Sequence, residues 1–111
     1  HEFFGDIYED VYGSIDTTME LLRKLDDYAP VSIDDLFVYK TLEEEKTRLT
    51  KVSDMLESLL VANKEVLASL NKVFEVATAN KQQGIANYIA DRIDTHEKHG
   101  WFLRASAKKT G

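Results

Sequence analysis

Apolar residues recur at helical spacing through most of the chain. Phe4, Ile7, Val11, Ile15, Leu22 and Leu25 follow one another at steps of 3, 4, 4, 7 and 3, a single stripe of an amphipathic helix over residues 2–27. Arg23 and Lys24 fall late in it, where the carbonyl end of the helix dipole favours positive charge. Pro30 disfavours helical geometry at Ala29 and closes the segment. Ser32 is a good N-cap, and Asp34 and Asp35 suit the first turn of a short helix carrying Ile33, Leu36 and Phe37. Residues 41–52 are too charged for a core and read as a solvated connector. A second long stripe, Met55/Leu56, Leu59/Leu60, Val66/Leu67, Leu70, Val73/Phe74 and Ala77, predicts a helix over Ser53–Asn80. The break at 79–84 ends on Gly84, the residue expected to take a positive φ. Ile85, Tyr88/Ile89, Ile93, His96, Gly100 and Leu103, widened by Trp101 and Phe102, predict a third long helix over Ile85–Lys108. The tail Lys108–Gly111 is too short for structure of its own.

Three long helices and one short one make an all-α domain. Stripes this wide leave one side of a bundle uncovered, so a fourth helix is expected from outside this stretch or from another chain. The chain opens on His1, with helical signal at once and no capping residue. That reads as part of a longer polypeptide, cut in or just before a helix.

Composition narrows the chemistry. With 111 residues the chain makes one domain, and without cysteine it has no disulfides, thiolate zinc sites or thiol catalysis. Twenty acidic residues against fourteen basic ones, net −6, argue against a general nucleic-acid surface. No apolar run reaches membrane-spanning length and no signal peptide is visible, so the expected location is the cytoplasm. Phosphate loops, nucleophile elbows and HExxH motifs are absent.

The polar pair that stands out is Asp16 and Glu20. At i,i+4 both carboxylates project from one helix face and repel mildly, and such a pair could bind a hard cation through its oxygens. The plain alternative is a solvated acidic face. His1 lies fifteen residues before Asp16, roughly 22 Å along a helix, so the three cannot meet within one straight helix. They can meet between two chains if this helix packs antiparallel on its copy about a two-fold axis near Tyr8–Asp10. His96 and His99 form a further helical pair, at a spacing that could bind a transition metal, though no third ligand of obvious spacing stands beside them. Because His96 shares the stripe of Ile89, Ile93 and Leu103, it reads as a hydrogen-bonded core histidine, with His99 at the surface or an interface.

His1-Glu2, Asp6, Tyr8, Asp16 and Glu20, followed by Ala29-Pro30 and a short helix, resemble the second helix of Dps-like ferritins. The run from Ala90 to Arg104, with His96-Glu97-Lys98-His99-Gly100-Trp101-Phe102-Leu103, resembles the closing helix of the same family. The likeness covers essentially the whole chain, read as a single ferritin-like domain over residues 1–111 whose first helix is missing. It implies a four-helix bundle with a short crossover helix, assembled through two-fold dimers into a hollow dodecamer. It also implies a ferroxidase site at the dimer interface. His1 falls on a histidine ligand, and Asp16 and Glu20 fall on carboxylates supplied by the neighbouring chain. The implied activity is oxidation of Fe(II), usually by hydrogen peroxide, with ferric iron stored inside and cell and DNA protected from radical damage. The chain departs from the pattern at Gly5, where an acidic ligand is usual and Asp6 stands beside it. It departs again at Gln83 and Asn87, where acids often line an entry pore and Asp91 is the nearest survivor. A non-catalytic shell or oligomerisation module with a decayed site is the alternative. DNA binding would need a basic tail that this sequence does not contain.

Overall fold

The computed structural model describes residues 5–27 and 52–110. They form three α-helices: α1 (Gly5–Leu25), α2 (Val52–Ala79) and α3 (Gln83–Thr110). The chain is all-α, as the stripes predict. His1, the short helix expected after Ser32 and the connector up to residue 51 lie outside the described residues.

Each helix buries the stripe that its sequence carries. Val11, Ile15, Leu22 and Leu25 of α1 meet Met55, Leu56, Leu59, Val66, Leu70, Val73 and Ala77 of α2 in one core, with Ile89 and Leu103 from α3. Ile15, Leu59, Leu70, Ile89 and Leu103 are fully buried, each worth roughly 2–3 kcal/mol of apolar transfer. α2 packs most extensively on α3 and also against α1, while α1 and α3 approach each other less closely. Asp10 of α1 reaches His99, and Ser14 reaches His96. α1 and α3 are therefore antiparallel. The short turn after α2 makes α2 and α3 antiparallel as well, so α1 and α2 run parallel and are not a hairpin.

That turn is a Schellman motif. Gln82 N–H donates to the Ala77 carbonyl at 2.8 Å and Lys81 N–H to Thr78 at 3.1 Å. Lys81, with φ 58°, takes the left-handed conformation expected of Gly84, which instead lies inside α3. The chain must reverse immediately after Asn80, three residues before the glycine arrives. The Gln82 carbonyl then accepts from Ala86 N–H and starts α3. At its other end α3 continues through Lys108 and Lys109 to Thr110, where the sequence predicts an unstructured tail.

Two aromatic expectations also change. Trp101 is 69% exposed and Tyr88 45%, so they do not widen the buried face of α3. Trp101 is rotated about 100° around the helix from buried Gly100, which turns it away from the core.

Candidate metal centre

On α1, Asp16 and Glu20 are both exposed, on a stripe that also carries Glu9 and Gly13. They share a face as their spacing predicts, and neither is part of the polar cluster between the helices. Gly5, where an acidic ligand is expected, opens α1, and a Cβ added there would meet nothing within 4 Å. Asp6 beside it is exposed, and on α3 so are Gln83, Asn87 and Asp91, one turn apart.

The polar side chains that do converge come from all three helices. Asp10 and Ser14 are one turn apart on α1, and Arg92, His96 and His99 occupy successive turns of α3, so both sets point across the antiparallel contact. His96 is fully buried. Its Nδ1 lies 2.9 Å from Oδ1 of Asn63, and Asn63 Nδ2 donates to the His96 carbonyl at 2.8 Å. On the other side of the ring, Nε2 is 2.7 Å from Ser14 Oγ and 2.7 Å from Arg92 Nη2. Arg92 Nη2 also donates to Ser14 Oγ at 2.6 Å and to Asp10 Oδ2 at 2.7 Å. His99 Nε2 sits 2.7 Å from the same Asp10 oxygen.

One proton assignment satisfies the cluster. The guanidinium donates to Asp10 and Ser14, the Ser14 hydroxyl donates to His96 Nε2, His96 Nδ1–H donates to Asn63, and His99 Nε2–H donates to Asp10. The electrostatics agree with it. Burial disfavours the charged imidazole, and the neighbouring guanidinium adds to this, pushing His96 down to about 4. Burial alone would raise Asp10, but hydrogen bonds from Arg92 and His99, together with the guanidinium charge, hold it below its ordinary 3.8. At neutral pH the cluster contains a carboxylate, a guanidinium and an uncharged His96.

Asp10, His96 and His99 each offer one donor atom, all within 4.8 Å of one another, which makes them a group that could hold a metal ion. Two imidazoles and a carboxylate suit borderline transition ions better than Mg²⁺ or Ca²⁺. Besides His96, the buried polar residues among those described are Ser14 and Asn63 of this cluster, with Thr18 and Ser58. No Asp or Glu is among them, and the carboxylate that reaches furthest between the helices is that of half-buried Asp10.

The sequence brings His96 to the core and marks the His96/His99 pair, but not Asp10, Arg92 or Asn63. The unused signals are polar residues on buried stripes: Ser14, three positions after Val11 on α1, and Asn63, four positions after Leu59 on α2.

The comparisons with known proteins agree with this architecture. The chain belongs to the ferritin-like family, whose domain model matches residues 1–110. It is 24% identical over 106 residues to a low temperature-induced protein of Nostoc sp. (strain PCC 7120), described as uncharacterized, and equally to the homologue from Anabaena variabilis. The matches cover 95% of this chain and 59% of each relative, so the chain spans about three-fifths of their length. No solved structure matches. Among the described residues no helix is long and apolar enough to cross a membrane.

Proposed function

We propose that this ferritin-like chain binds ferrous iron, oxidises it with hydrogen peroxide and stores the ferric product, in the manner of the Dps-like branch. The observation that carries this reading is the pair Asp16 and Glu20. They are one turn apart on the exposed face of α1, while the described interior has no buried carboxylate to hold iron. In this reading His1 of the partner subunit completes the ligand set in an antiparallel two-fold dimer of α1, and such dimers build a dodecameric shell. Carboxylate oxygens favour Fe(III) over Fe(II), so the pair supplies both affinity and driving force. Peroxide takes one electron from each of two ferrous ions as its O–O bond breaks, which removes both reactants of hydroxyl-radical formation. The low-temperature induction stated in the relatives' names is in keeping with a stress role in the cytoplasm.

An anaerobic Fe(II) titration of the assembled protein, followed by peroxide, tests the reading. A stoichiometric break with prompt oxidation is expected, and Asp16→Asn/Glu20→Gln should remove the iron equivalent held by this pair and its oxidation by peroxide while leaving assembly intact. Unchanged ferrous binding in that double variant overturns the assignment. Gly5 favours a second reading, a shell without ferroxidase chemistry, which predicts an oligomer that oxidises iron no faster than buffer.

A further inference from the structure

We propose that Asp10, His96 and His99 form a second, separate site for a divalent transition metal ion, and that the Arg92 guanidinium is its resident stand-in cation. Arg92 Nη2 carries two hydrogens and lies within 2.7 Å of three acceptors, Asp10 Oδ2, Ser14 Oγ and His96 Nε2. Two of them take its protons. The third, His96 Nε2, is left against a nitrogen with no proton to share, and only the Ser14 hydroxyl serves it. Asp10 Oδ2, Ser14 Oγ and His96 Nε2 thus converge on one cationic nitrogen, the same set of lone pairs that a metal ion placed there would meet. A metal ion has no such proton limit and accepts several lone pairs at once.

The donors are also preorganised. His96 is fixed by Asn63 at Nδ1, the carbonyl-or-amide partner that commonly orients a ligating imidazole from its far side. Donors around an ion at roughly 2.1 Å lie about 3.4 Å apart. The present spread, up to 4.8 Å, closes with a side-chain shift of about an ångström. The side chains of Arg92 and His99 are 18% and 19% exposed and that of Asp10 is 35% exposed, so the guanidinium has a route outward and an ion a route inward. The donor set of two nitrogens and one oxygen selects Zn²⁺, Co²⁺ or Fe²⁺ over alkaline-earth ions.

This site uses none of the residues of the α1 carboxylate pair, so it is tested in the Asp16→Asn/Glu20→Gln background, where failure of either reading stays distinct. The probe is Co²⁺, followed by its visible d–d absorption and then displaced by Zn²⁺. One equivalent of Co²⁺ should bind with a low-symmetry spectrum. Arg92→Gln should tighten it at least tenfold, and His99→Gln and Asp10→Asn should each weaken it by a similar factor, with helicity checked by circular dichroism. His99→Gln leaves the Arg92–Asp10 pair in place, so it remains informative should Asp10→Asn fail to fold. Binding insensitive to His99→Gln overturns the site. Binding seen only with Arg92→Gln overturns it too, because the guanidinium would then be a permanent occupant.

Discussion

Arg92 and His96, one helical turn apart on α3, place a guanidinium nitrogen 2.7 Å from an imidazole nitrogen in the interior of the bundle. Burial already disfavours the charged ring, and a cation set against it adds to that, so His96 is held neutral.

Acid should therefore unfold the protein through His96. The imidazole titrates near 6.5 in the unfolded chain and at about 4 in the folded one. Between those values the unfolded state binds more protons. Stability is thus complete above about 6.5 and falls as pH drops toward 4, by at most roughly 3 kcal/mol. Asp10, lowered from 3.8, adds a further loss only below that value. Urea denaturation at pH 7.5 and pH 5 measures the first effect, and a midpoint independent of pH over this interval would contradict it.

Removing the Asn63 amide should be costly. Asn63→Ala leaves the buried His96 Nδ1–H without an acceptor, a loss of roughly 2–3 kcal/mol with the accompanying cavity. Denaturant titration reads it directly.

Two glycine substitutions should have opposite signs. Gly13 is exposed on α1 and a Cβ there meets nothing within 4 Å, so Gly13→Ala should stabilise the monomer fold by about 0.5–1 kcal/mol through helix propensity. A Cβ at Gly100 falls 3.2 Å from Asn63 Nδ2 and 2.9 Å from Arg104 Nη1. Arg104 can swing aside, but Asn63 is pinned at both ends of its amide to His96. Gly100→Ala should lose about 1 kcal/mol net, and the loss should shrink when Asn63 is also Ala, the coupling that a double-mutant cycle isolates.

Lys81 is the place to stabilise the turn. A non-glycine residue at φ 58° carries a cost of about 1 kcal/mol that glycine avoids. Lys81→Gly should raise the thermal midpoint by several degrees, and Lys81→Val should lower it, both visible in a melting curve.

How much of this the sequence discloses depends on the range of the interaction. The stripes of α1 and α2 are local and periodic, and Val11, Ile15, Leu59, Val66 and Leu70 lie where their spacing puts them. His96 is legible as a core residue because Ile89 and Leu103 share its face. Its partners are not, since Ser14 is 82 residues away and Asn63 33, and no spacing rule reaches across three helices. Trp101 misleads for a different reason: size and hydrophobicity raise the expectation of burial, but α3 turns that position outward. The exposed pair Asp16 and Glu20 is fully legible as a shared face, because i,i+4 geometry needs only one helix.

The parallel course of α1 and α2 bears on the order in which the molecule assembles. α2 and α3 meet through a three-residue turn, at little loop-closure cost. α1 must find its partners on α3 across 78 to 89 residues of sequence. The α2–α3 hairpin is thus the early-folding unit and α1 the late, more readily opened one. Amide hydrogen exchange should run fastest through α1. The helix that displays the acidic pair is then also the one most easily released, so whatever grips that face holds the fold closed as well.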